Sequence, residues 1–168
     1  MIPSLLRRPG PFRWFWIGQT VSLFGDQITL VALPLVAVLL LHAGPAEMGY
    51  LVAAAWLPYL LLSPPAGAWV DRRGHRRWIM IVADLGRALL LLTVPAAAAL
   101  HHLTLAHVYA VIFLSGAFSV FFRVSYDTLF VSMVPRERYV EGQSLLNGSR
   151  AFSFVGGPAV AGLLVQLF

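Results

Sequence analysis

The sequence predicts an all-α integral membrane protein with about five transmembrane helices. Three observations carry that reading. The first is composition: of 168 residues 59% are hydrophobic and only 11% charged, with a mean hydropathy of +0.78, beyond the range of soluble domains. The second is five apolar runs, at about 14–41, 48–70, 78–100, 105–133 and 140–168, each reaching the ~20 residues needed to cross a ~30 Å hydrocarbon core. The third is the placement of the arginines, nine of twelve of which flank these runs on one side.

The first run opens on an aromatic belt of Phe12, Trp14, Phe15 and Trp16. It is too long for the ~7–15-residue core of a signal peptide, so a permanent span is expected. HAGPAE (His42 to Glu47) then supplies turn chemistry, HHLTLAH (His101 to His107) separates the third and fourth runs, and VPRERYVEG (Val134 to Gly142) holds a helix-stopping proline before the fifth. Pro34, Pro58, Pro64, Pro65 and Pro95 lie inside runs, where proline most often kinks a helix. Short connections make the helices alternate in direction. Arg7, Arg8, Arg13, Arg72, Arg73, Arg76, Arg77, Arg136 and Arg138 mark one side, and the loops of the other side contain no arginine. This predicts a multi-pass protein of the cell membrane with a cytoplasmic N-terminus and an external C-terminus.

The net charge of +5 does not indicate a nucleic-acid partner, because the arginines sit at membrane flanks. The absence of cysteine excludes disulfides and thiolate chemistry. No nucleophile–base constellation, phosphate loop or HExxH motif occurs, so no enzyme is expected. His101, His102 and His107 lack neighbouring carboxylates and are read as interface residues, with no metal site.

Between the second and third runs lies GAWVDRRGHRR. Glycine at position 67 allows a neighbouring helix to approach closely, Asp71 at a helix end can face the positive dipole of another helix, and Gly74 can adopt positive φ. Arg72, Arg76 and Arg77 can hold the loop at an anionic leaflet. The pattern G-x-x-x-D-R-x-G-x-R-R, filled by Gly67, Asp71, Arg72, Gly74, Arg76 and Arg77, resembles the signature loop between helices 2 and 3 of the major facilitator superfamily. Trp69 and His75 depart from its looser positions. In the fifth run Ser153, Gly157, Pro158, Ala161 and Gly162 resemble the G-x-x-x-G-P-x-x-G-G motif of exporters and antiporters, with Ser153 and Ala161 in place of glycines. FRWFWIGQTVSLFGDQITLVALPLV and VPRERYVEGQSLLNGSRAFSFVGGPAVAGLLV are similar to the bacterial drug, macrolide and siderophore efflux branch.

The resemblance implies proton-coupled efflux of small organic molecules by alternating access, with no cofactor beyond a proton gradient. The loop would act as a latch for one access state, and the helix 5 motif as a bend that restricts leakage. Members have twelve helices in two six-helix halves. The expectation is therefore five helices of a six-helix N-terminal bundle, dependent on a missing second half or a partner chain. The alternative is a truncated, non-transporting membrane protein or a helix-donating subunit.

Six aspartates and arginines lie well inside the runs, where charge is costly and marks function. Asp26 lies about 18 Å into the first run at 1.5 Å per residue. Charging a carboxylate in low dielectric is costly, so Asp26 is the expected proton- or substrate-coupling residue. Asp84 and Arg87 are three apart, and Arg123 and Asp127 four apart, so each couple shares a helical face. With Arg150 they are expected to form internal ion pairs linked to the Asp71 latch.

Overall fold

The computed structural model describes residues 11–166. Arg7, Arg8 and Phe168 lie outside the described residues. Five long helices follow in order: α1 (Pro11–Leu39), α2 (Pro45–Arg73), α3 (Arg76–Ala99), α4 (Leu105–Met133) and α5 (Tyr139–Gln166), the last preceded by a 3₁₀ turn at Arg136–Arg138. Each is long and apolar enough to cross a membrane. Among the described residues there is no strand.

Helices α1, α2, α3 and α5 begin one to three residues before the apolar runs, and α2 also ends three residues later, because hydrogen bonding continues where hydropathy stops. Helix α2 begins at Pro45, with proline in the first turn, where its missing N–H costs nothing, and Glu47 facing the positive helix end. It ends with Arg72 and Arg73 in its last turn, where cations meet the exposed carbonyls. Helix α1 starts early enough to include Arg13. The in-span prolines Pro34, Pro58, Pro64, Pro65 and Pro95 all sit within unbroken helices. Helix α3 closes on His101, whose φ of 55° puts a non-glycine residue in the left-handed region. The bonds His101 N–H to Ala98 O (3.0 Å) and His102 N–H to Ala97 O (2.9 Å) form a Schellman cap around it.

The chain divides into two compact units. One comprises the described residues up to Ala32 together with Phe130–Leu164. In it α1 and α5 pack along rows spaced by about four residues, the i±4n ridges of helix packing. Trp16 Nε1 donates to Leu145 O at 3.4 Å, Thr20 and Ser149 hydroxyls meet at 2.8 Å, and the Phe24 and Phe152 rings stack at 6.0 Å. One turn further, Gly157 presses directly on Gln27, leaving no room for a Cβ, and a Cβ on Gly156 would come within 2.9 Å of Phe24. Leu146, Ser153 and Ala161 of α5 are fully buried.

The other unit comprises Leu33–Leu129 and the residues from Val165 onward. Its core gathers Leu33, Val36 and Ala37 of α1, Leu51 of α2, Val94 of α3, and Val108, Val111 and Ile112 of α4. Two glycines set its helix spacings. A Cβ on Gly116 would meet Pro58 at 3.0 Å and the Ala55 carbonyl at 3.3 Å, and one on Gly86 would strike the Phe118 ring at 2.7 Å.

Candidate functional site

Three groups of predicted residues can be placed. The first is the loop joining α2 and α3. Gly74 ends α2 with φ 68°, ψ −15°, and its N–H caps the Val70 carbonyl at 3.2 Å. Only glycine enters that region without a Cβ penalty. The reversal lets Arg76 turn back on Asp71, with Nη2 and Oδ1 3.4 Å apart. The Asp71 side chain is 67% exposed, and Arg72, Arg73 and Arg77 are exposed as well. Arg73 lies 5.0 Å over the Trp69 ring, and Trp69 meets Phe121 edge-on at 5.6 Å. Trp69, a departure from the motif, thus fastens the loop to α4. A Cβ on Gly67 would meet nothing within 4 Å, so the close helix approach expected there is not made among the described residues. In this unit it occurs at Gly86 and Gly116 instead.

The second group surrounds Arg87, eleven residues into the 24-residue α3 and so at its midpoint. Arg87 is buried and binds Asp84 at 3.1 Å, donates Nη1 to Ser119 Oγ at 3.0 Å, and lies 5.5 Å over the Phe122 ring. Ser119 in turn donates to the Ser115 carbonyl at 2.9 Å. Ser119 and Phe122 were not singled out from the sequence. Their signal was available: on α4 they lie within one turn of each other, so both can reach one guanidinium. Arg123 and Asp127, the second expected couple, are both exposed and make no ion pair with each other. Spacing by four put them on one face, but neither side chain is enclosed by packed neighbours as Arg87 is.

The third group lies on α1 and α5. Asp26 is one residue past the midpoint of the 29-residue α1 and is exposed, where burial was expected. Depth along a helix and burial are independent, since depth follows from residue number and burial from which face meets a neighbour. Arg150 is exposed too and shares a groove with Gln27, Leu23 and Ser153. Of the helix 5 motif, Gly157 makes the tightest contact, Ser153 and Ala161 are fully buried, Pro158 is half-buried within α5, and a Cβ on Gly162 would meet nothing within 4 Å. Among the described residues no group of three metal-ligating side chains occurs. His107 Nε2 instead meets Thr93 Oγ1 at 2.9 Å.

Five apolar helices, a glycine-capped arginine loop and a glycine–proline helix contact agree with comparison to known families. The family model of the Major Facilitator Superfamily matches residues 15–168. The chain belongs to the Major Facilitator Superfamily. This superfamily chain is therefore a multi-pass membrane protein in a lipid bilayer. It is 30% identical over 163 residues to the multidrug efflux pump Tap of Mycolicibacterium fortuitum, covering 93% of the chain and 39% of the relative. Macrolide efflux protein A of Streptococcus pyogenes is 27% identical over 158 residues, 94% of the chain and 38% of the relative. An uncharacterized MFS-type transporter, YfiS, of Bacillus subtilis (strain 168) is 28% identical over 150 residues, 89% of the chain and 34% of the relative. The chain thus spans little more than a third of the length of these relatives. No solved structure matches it.

Proposed function

We propose that this superfamily chain forms part of a proton-coupled efflux carrier for small organic molecules in the cell membrane, with its N-terminus cytoplasmic. The observation that carries the reading is the match to macrolide and multidrug efflux proteins along 93–94% of the chain. Alternating access moves one helical bundle against another around a central site, so the reading calls for further helices, from this or a second chain. Asp26 is the proton-linked acid: it sits at mid-helix, where an acid is most costly to keep charged and best placed to exchange a proton. The loop of Gly67, Asp71, Arg72, Gly74, Arg76 and Arg77 serves as the latch of one access state. The pair of buried Arg87 and half-exposed Asp84 supports it as a structural charge site. The packed Ser153–Gly162 segment limits leakage between α1 and α5.

The test is transport in everted membrane vesicles from cells expressing the chain together with the helices that complete the carrier, presented with a panel of cationic, neutral and anionic dyes. Energised vesicles should accumulate at least one dye, and a protonophore should abolish the accumulation. Asp26→Asn should abolish pH-driven accumulation while leaving downhill exchange, because the amide keeps the shape and cannot release a proton. Protonophore-insensitive accumulation, or none above control vesicles, refutes the reading. Full uphill transport by the Asn variant places the coupling proton elsewhere.

A further inference from the structure

We propose that the groove between α1 and α5 binds the anionic group of an amphipathic organic molecule through Arg150. The groove encloses about 480 Å³ and is walled by Leu23, Phe154 and Val155, with Gln27, Arg150 and Ser153 as its polar members. No acid is among the described residues that line it. The inference rests on the efflux reading for its biological meaning, since it names the substrate class, but the binding event stands on the groove alone.

Depth is the first argument. Arg150 follows Tyr139 by eleven residues, about 16 Å at 1.5 Å per residue, which leaves it about 4 Å from the midpoint of the 28-residue α5. Gln27 is two residues past the midpoint of α1. A ~30 Å hydrocarbon core centred on such a helix leaves Arg150 about 11 Å inside its nearer edge, within the apolar region.

Charge is the second. An arginine at mid-membrane persists where it is paired or functional, and it cannot shed its proton. Arg87 shows the paired solution, with Asp84 and Ser119. Arg150 makes no hydrogen bond or ion pair among the described residues.

Chemistry is the third. The planar guanidinium presents a fork of donors matched to a carboxylate, sulfonate or phosphate. Gln27 adds an amide, and Ser153, fully buried, adds a hydroxyl that has no hydrogen-bond partner. Apolar walls on the same groove select an anion that carries an apolar body.

Matched probes test this: 1-pyrenesulfonate and 1-pyrenemethylammonium, titrated against the purified chain in dodecyl maltoside micelles, with binding read by energy transfer from tryptophan. The sulfonate should bind at least ~10-fold tighter than the ammonium, and Arg150→Gln should erase that margin, as expected for loss of a charged hydrogen bond. Arg150→Lys should restore part of it. Gln27→Glu, isosteric and sparing the arginine, should weaken the sulfonate by a similar factor by offering Arg150 an internal partner. It decides the matter if Arg150→Gln fails to fold. Equal affinities for the two probes, or a sulfonate affinity unmoved by Gln27→Glu, overturn the proposal. In a second arm phosphatidylglycerol is titrated in: displacement of pyrenesulfonate by the lipid, lost in Arg150→Gln, assigns the site to a lipid headgroup and overturns the substrate assignment. Binding without vesicle transport would sink the efflux reading and leave this site standing. Transport without Arg150-dependent binding would do the reverse.

Discussion

Removing Asp84 should cost this protein more than removing Arg87, although the two form one ion pair. Arg87 is the buried member, its side chain 10% exposed against 37% for Asp84. Asp84→Asn takes the carboxylate from a buried guanidinium that cannot deprotonate, while the Ser119 hydroxyl at 3.0 Å and the Phe122 face at 5.5 Å remain beside it. Breaking a buried pair by deleting one partner costs about 3–5 kcal/mol, and the half-exposed acid discounts this to about 2–3 kcal/mol. Arg87→Gln leaves a carboxylate that can take up a proton, so only the charged hydrogen bond and some packing are lost, about 1–2 kcal/mol. The double variant should cost less than the sum of the singles by about 1 kcal/mol or more, since the stranded charge is gone. The assay is reversible unfolding in mixed maltoside–dodecyl sulfate micelles, followed by tryptophan fluorescence, for all four proteins of the cycle. An Arg87→Gln cost equal to or above that of Asp84→Asn, or a coupling below ~0.5 kcal/mol, refutes the reasoning.

Gly157→Val should destabilise by about 1–3 kcal/mol in the same assay, because its side chain collides with Gln27, whereas Gly162→Ala, with open space around it, should be neutral or slightly stabilising. Gly74→Ala should cost about 1–2 kcal/mol through its positive φ, and equal stability of this variant would show that the turn has another conformation open to it. Cysteines placed at His75 and His102 should label from opposite sides of sealed vesicles, and labelling of both from one side would refute the five-span topology.

Helix number, the glycine cap of the α2–α3 loop and the Asp84–Arg87 contact were all legible in the sequence. Each depends on neighbours a few residues apart along one chain, where helical periodicity and turn chemistry act directly. Hydropathy is a local sum too, and it located every helix to within a few residues. The four-residue spacing of Arg123 and Asp127 looked as good as the three-residue spacing of Asp84 and Arg87, yet only the second couple closed. The difference is Ser119 and Phe122, brought from 32 and 35 positions away by packing, which enclose Arg87 and make pairing necessary. In the same way the sequence by itself determined that Asp26 lies near the middle of its helix and Arg150 about ten residues into its own, because depth is residue number multiplied by rise. Only the tertiary structure decided that Asp26 is exposed and that Arg150 shares a groove with Gln27 and Ser153. Which face of a helix is covered depends on the neighbours that other segments supply, and no periodicity within the helix itself encodes them.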